Sequence, residues 1–321
     1  MKTTIDWLCF RTKSDPFKVL EALRPCFGTV GELLELRTGL KGKDGWLQGA
    51  EIVIPDHTLG RIDYAGDSQK GWVRVNITGD GCGWVQSWEQ VEGLRGVLVD
   101  ADIKRLDIAF TTHHGEVNDS MVVAAYEAGQ FTNGGRPPAM RSVISSDPCA
   151  GRTRYIGKRE NHKFLRCYEK GWQLMKDLPD YAEFLRKPGV QVVMDGVGYV
   201  NIQDVYRVEL ELKDVDKYIC WTAISRRDEV FAGSYPFCAS LLPDAPHWVM
   251  SELPSFKPKA ALLKALSNAF RSYGGTWKAA HLAFGGDDEA LLKIARMMLA
   301  EKPSSRLVES GVFTVDHEPI F

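Results

Sequence analysis

Twenty residues, GRTRYIGKRENHKFLRCYEK from Gly151 to Lys170, hold groups whose types and spacing could do chemistry in this 321-residue chain. Arg152, Arg154, Lys158, Arg159, Lys163, Arg166 and Lys170 set against Glu160 and Glu169 give a local charge of +5, which makes the stretch an anion site. It reads as two short strands around a polar turn at Glu160-Asn161-His162. If Lys163 to Lys170 is extended, alternate residues share a face. Arg166, Tyr168 and Lys170 then project together, and Leu165 and Cys167 point the other way. A free phenol titrates near ~10; cations beside it lower the cost of the phenolate and would hold a phosphodiester within its reach. Tyr168 is then a candidate nucleophile. The same strand could instead grip phosphates and stack a base on the tyrosine, or form a solvated edge.

Two further stretches alternate in the same way. Arg105 to Phe110 places Leu106, Ile108 and Phe110 on one face and Arg105, Asp107 and Ala109 on the other. Tyr206 to Leu212 separates Val208, Leu210 and Leu212 from Arg207, Glu209 and Glu211. Each is the pattern of a half-buried antiparallel strand with acids on its open face. Were the two strands neighbours, Asp107 and Glu209 could converge into an oxygen-ligand site for Mg²⁺ or Mn²⁺; apart, each would be a surface charge.

The order RLDIAF, then TRYIGKRENHKFLRCYEK, then YRVELELK resembles the replication initiation factor family of rolling-circle plasmids and filamentous phages, with related conjugative relaxases. The resemblance covers roughly Lys104 to Lys213, and Gly274-Gly275-Thr276-Trp277 is similar to a C-terminal feature of some members. It implies site-specific cleavage of one DNA strand by tyrosine transesterification, with Tyr168 as nucleophile, Arg166 and Lys170 beside it, and Asp107 and Glu209 as metal ligands. Many members carry a second acid just after the first of these strands. Here Thr111-Thr112 is followed by His113-His114, which leaves Glu211 or His113 as the further ligand. The resemblance also implies origin DNA as partner, positioned by Arg152, Arg154, Lys158, Arg159 and Arg207, and a host helicase to unwind it. A relaxase with the same chemistry, a non-catalytic nucleic-acid binder and a metal-dependent hydrolase stay open as alternatives. So does the choice between monomer and homodimer.

Composition sets bounds on these readings. A hydrophobic content of 44% and a charged content of 26% are those of a globular domain with a sizeable core. The net charge of −2 argues against a protein that coats DNA and confines any nucleic-acid role to a local groove. Seven cysteines without a C-x-x-C pair indicate neither a zinc site nor a disulfide framework. With no apolar run at the N-terminus and no ~20-residue apolar span, a cytoplasmic setting is expected.

The elements that must position these groups follow in order. A strand at Ile5–Arg11 precedes a helix begun by Ser14-Asp15-Pro16, then meander strands near 51–54 and 61–64 and a strand at 72–77. Gly79 to Gly83 reads as a turn, Ser87–Gly96 as a helix, and a further helix starts after Val117-Asn118. Gly171 to Arg186 reads as helical, and Val190 to Val200 as a Gly-broken hairpin. Each half thus repeats strand, helix, strands, helix. The expected fold is α+β: an antiparallel sheet with helices on one face and reactive residues on the other, in a duplicated split-βαβ arrangement. The catalytic domain is expected at 1–235, in halves of about 1–100 and 101–235, with a helical subdomain at 236–303 and a tail at 304–321.

Overall fold

The computed structural model describes residues 2–132, 136–146, 150–176, 191–194, 196–247 and 258–297. Its contacts divide the chain into one unit of Met1–Asp214 with Ile219–Leu253 and a second of Val215–Tyr218 with Pro254–Phe321.

The first unit is built on a ten-stranded sheet. Its strands are β1 (Thr4–Thr12), β2 (Glu35–Lys41), β3 (Gln48–Ile54), β4 (His57–Tyr64), β5 (Val73–Ile77), β6 (Asp102–Thr112), β7 (Met140–Ile144), β8 (Arg152–Ile156), β9 (Lys163–Tyr168) and, after a separate hairpin of β10 (Gln191–Met194) and β11 (Gly198–Asn201), β12 (Tyr206–Lys213). The spatial order is β2-β3-β4-β5-β1-β6-β12-β9-β8-β7, and every pairing is antiparallel. Counted outward from the central β1/β6 pair, one half runs β1, β5, β4, β3, β2 and the other β6, β12, β9, β8, β7. The duplication expected from the element order is therefore present in the topology. In each half the helix after the first strand crosses to the far edge, skipping three strands, and β12 is the counterpart of β5.

The helices are α1 (Pro16–Leu23), α2 (Gly79–Trp84), α3 (Trp88–Val97), α4 (Asp119–Glu127), α5 (Lys170–Lys176), α6 (Arg227–Ala232) and α7 (Pro236–Leu241). Their starts are chemically marked. Asp15 accepts from the backbone N–H groups of Phe17 and Lys18 at 3.1 Å, and Asn118 accepts from that of Met121, satisfying donors that a first turn leaves unpaired. Val19, Leu20 and Leu23 of α1, Val91 and Leu94 of α3 and Val122 of α4 share one buried cluster with Leu8, Phe10, Leu106, Ile108, Leu165, Val208 and Leu210 of the strands. That core fills the helix-covered face and leaves the polar alternates on the other.

Several expectations shift. Gly79–Gly83 is not a turn but the body of α2, capped by Thr78, whose hydroxyl accepts from Gly81 N–H. Gly81 is required there because a Cβ would lie 1.8 Å from the Leu59 carbonyl. α7 lies where the helical subdomain was expected to begin, yet it places Phe237 and Cys238 in the first unit's core, and that unit runs on to Leu253. Of the 171–186 helix, α5 accounts for the start and the remainder lies outside the described residues, as does the expected tail.

In the second unit, α8 (Pro258–Ala283) is one continuous helix that runs through Gly274 and Gly275 despite their ~1 kcal/mol penalty each against alanine. α9 (Asp288–Met297) begins after Asp287, whose carboxylate accepts from Glu289 and Ala290 N–H. No helix among the described residues is long and apolar enough to cross a membrane.

Candidate active site

Residues directly opposite on antiparallel neighbours point to the same side, so the register strings the open face into cross-strand rows. One row is Thr111, Arg207, Tyr168, Thr153. The next is Ala109, Glu209, Arg166, Tyr155, Arg141. A third is Trp7, Asp107, Glu211, Phe164. Successive rows lie two residues, roughly 7 Å, apart along the strands.

These rows bring Tyr168, Arg166, Arg207, Glu209, Asp107 and Glu211 onto one surface. The Tyr168 hydroxyl donates to Glu209 Oε2 at 3.2 Å, and Arg166 donates to the other oxygen of the same carboxylate. The Arg166 guanidinium also lies 5.1 Å from the Tyr168 ring centroid. Arg207 donates to Asp6 at 2.6 Å and to the Thr111 hydroxyl at 2.9 Å. A cleft of about 340 Å³ opens over this surface, lined by Tyr168, Arg166, Asp6, Tyr155, Thr153 and Lys170 among others. Burial pushes the Tyr168 phenol above its ordinary range and Glu209 adds to the rise, with Arg207 and Arg166 pulling against them. The phenol is therefore held as a neutral donor whose proton is already directed at a carboxylate.

The acids are buried and closely paired. Asp107 is 1% exposed and accepts from Arg105 Nε at 2.8 Å. Burial raises its carboxyl to about 7 against the pull of Arg105, with Glu209 and Glu211 adding to the rise. Glu211 is met by Lys213 at 2.7 Å, Arg105 at 2.9 Å and Arg159 at 3.2 Å. Burial works against its charge, but Lys213, Arg159 and Arg105 hold it below the usual carboxylate range.

Among the described residues no group of three or more His, Cys, Asp or Glu side chains is arranged to hold a metal ion. Carboxylate oxygens are nevertheless the donors that Mg²⁺ or Mn²⁺ takes. The donor type at Asp107 and Glu209 fits a hard divalent cation, although the two acids stand in adjacent rows and their oxygens are met by Arg105 at Asp107 and by Tyr168 and Arg166 at Glu209.

Other expected residues are placed differently. β9 ends at Tyr168, so Lys170 does not share its strand face; it opens α5, donates to Gln173 at 3.1 Å and lines the cleft from there. Arg154 is opposite Cys167, which lies in the core, and so points to the helices, where Asp119 of α4 accepts from it at 2.7 Å. Arg152 lines the cleft, but its guanidinium is 3.6 Å from the same Asp119. Lys158 is exposed in the turn between β8 and β9, and Arg159 leans from that turn onto Glu211. His113 does not join the acids. It lies six residues beyond Asp107, roughly 20 Å along an extended chain, with Glu116 accepting from its backbone N–H.

Asp6 is the site residue that alternation misses. A strict period of two puts it with Leu8 and Phe10 on the helix face, but the register shifts between Ile5 and Trp7, and that bulge turns Asp6 toward Arg207 and the cleft. Tyr155 and Thr153 also join the site, opposite Arg166 and Tyr168, because β8 pairs with β9.

A solved structure of a rolling circle replication initiator protein from Geobacillus stearothermophilus is 19% identical, with 76% of this chain and 85% of that chain covered at a TM-score of 0.50, a likeness of fold. No curated protein matches the chain. Residues 101–248, which carry β6, β8, β9 and β12 and so every acid and cation gathered around Tyr168 except Asp6, match the replication initiation factor family, the one that the three spaced motifs resemble.

Proposed function

We propose that the protein initiates rolling-circle replication by nicking one strand of an origin, with Tyr168 as the nucleophile. The observation that carries this reading is the Tyr168 hydroxyl donating to Glu209 at 3.2 Å in a cleft walled by Arg166 and Lys170, inside the segment that matches the family. In the reaction, the phenol oxygen attacks the scissile phosphorus in line as Glu209 takes its proton. The bond to the 3′ oxygen breaks, and that oxygen leaves as a hydroxyl after protonation from water. The new phosphotyrosine keeps the 5′ end, the free 3′ hydroxyl primes synthesis, and the conserved ester energy makes rejoining possible without a nucleotide. Arg166 and Lys170 offset the charge that builds on the phosphoryl oxygens. Arg207, held by Asp6, sets one wall beside the phenol. Asp107 and Glu209 would hold Mg²⁺ or Mn²⁺, which supplies polarisation of the scissile phosphate when bound. Origin DNA is the partner, in a cytoplasmic setting, with a host helicase acting on the opened strand.

The test is a denaturing gel of the protein incubated with Mn²⁺ or Mg²⁺ and single-stranded oligonucleotides tiling its own replicon. Wild type is expected to give a slower protein band that nuclease collapses, and Tyr168→Phe none. Cleavage without that band would replace this mechanism with hydrolysis by water.

A further inference from the structure

The first half of the sheet repeats the topology of the second but offers no nucleophile. Its counterpart of β9 is β4, and the tyrosine ending β4, Tyr64, packs against the core. The open face carries instead the fully buried Asp63, which accepts from Arg61 at 2.8 Å and from Arg74 at 2.7 Å.

Beside that ion cluster, three guanidinium groups lie over three indole rings. Arg105 is 5.0 Å from the centroid of Trp7, Arg74 is 5.8 Å from that of Trp46, and Arg11 is 4.0 Å from that of Trp72. Trp7 is directly opposite Asp107, three strand steps or about 14 Å from β9. Trp46 and Trp72 sit farther along, in loops joined where the Gln69 side chain donates to the Gly45 carbonyl at 3.1 Å. Each arginine is itself anchored by a carboxylate, Arg105 by Asp107, Arg74 by Asp63 and Arg11 by Asp102. The rings are thus fixed and half-buried, and Trp72 is met by Lys13 as well, at 5.2 Å from its centroid, a lysine that also lies 3.6 Å from Asp100. Lys13, Lys43 and Lys70 are exposed around them.

We propose that this face is the track for the single strand flanking the scissile phosphate, with bases stacking on Trp7, Trp46 and Trp72 and phosphates met by Lys13, Lys43 and Lys70. The inference rests on the nicking reading for its choice of strand. Spaced, pre-set aromatic platforms interleaved with cations suit unpaired bases, whose faces are open. They do not suit a duplex, which buries those faces. The duplicated half would thereby supply binding where the other supplies chemistry.

The test uses full-length protein carrying Tyr168→Phe, so that no strand is cut, and fluorescence anisotropy with labelled (dT)30. Trp46→Ala with Trp72→Ala is expected to weaken binding by roughly tenfold or more, and the matching pair of Phe substitutions to restore it to within about threefold. Replacing Lys13, Lys43 and Lys70 by Gln, three surface changes that leave the core untouched, is expected to reduce the slope of log affinity against log salt by about 2. Alanine variants that melt like the parent and bind (dT)30 within twofold of it would overturn the proposal. So would a change of sedimentation state with (dT)30 binding intact, which would make the face a contact between copies. If wild type forms no covalent adduct while (dT)30 binding still depends on the indoles, the nicking reading falls and the track stands. An adduct with indole-independent binding gives the reverse.

Discussion

At the scale of single residues, the decisive arrangement is that one carboxylate serves both the phenol and its neighbouring arginine. Glu209 is 1% exposed, and its two oxygens are divided between Tyr168 and Arg166. Glu209→Gln keeps the shape but cannot take a proton, so the rate of adduct formation is expected to fall roughly 10²-fold or more, the usual worth of a positioned base. Affinity for single-stranded DNA should change little, and a rapid-quench time course beside an anisotropy titration separates the two effects. Asp6→Asn is a milder change. It weakens the hold on Arg207, which donates to Asp6 at 2.6 Å, and is expected to slow cleavage several-fold while leaving Glu209 and Tyr168 paired. That Tyr168, Glu209 and Asp107 share the open face was legible in the sequence because an intact strand alternates with a period of two. Asp6 was not, because a bulge reverses it, and Lys170 was expected at the site but reaches the cleft from α5 because β9 ends at Tyr168.

At the scale of elements, two contacts hold the site's supports in place. Gly171, in the first turn of α5, donates its N–H to the Val205 carbonyl at 3.0 Å, and a Cβ there would lie 1.6 Å from the Ile202 carbonyl. Gly171→Ala must therefore push α5, and Lys170 with it, away from the turn at Ile202 that leads into β12. Such overpacking costs about 1–3 kcal/mol. A melting temperature lower by ~2–4 °C per kcal/mol, together with slower adduct formation, is the expected outcome. The second support is the ion cluster of the other half. Burial opposes the charge of Asp63, but hydrogen bonds from Arg74 and Arg61 outweigh it and lower the carboxyl below its ordinary range. A carboxyl lowered in the folded state contributes stability that is fully present above its unfolded value and is lost as pH falls through the folded one. Asp63→Asn should then cost about 3–5 kcal/mol at pH 7, and the gap from wild type should close as pH drops below ~4. Urea melts at pH 7, 5 and 3 read this directly, and a gap independent of pH would show that the cluster's charge is not what stabilises β4 and β5.

At the scale of the whole molecule, the chain divides its labour unevenly. Its buried core, from Ile5 to Leu242, and the face that carries Tyr168 belong to the first unit. That division was only partly legible in the sequence. The break was expected at 236, where Pro236 stands, but α7 buries Phe237 and Cys238 in the core, and Phe131 meets Phe237 at 5.0 Å between ring centroids. Proline marks where a helix can begin as readily as where a domain can end. In the second unit, exposed Leu266, Phe270 and Tyr273 of α8 leave that helix with little burial of its own. Helices without a packed apolar face draw little stability from tertiary structure. A chain ending at residue 253 is therefore expected to keep a cooperative melt within a few degrees of the full-length protein and to form the Tyr168 adduct on single-stranded oligonucleotides at a similar rate. Comparing the two chains on supercoiled plasmid as well as on oligonucleotides assigns the second unit a role. Loss of nicking on the plasmid alone would place origin selection or opening in α8 and α9, and loss on both would mean that the sheet requires them.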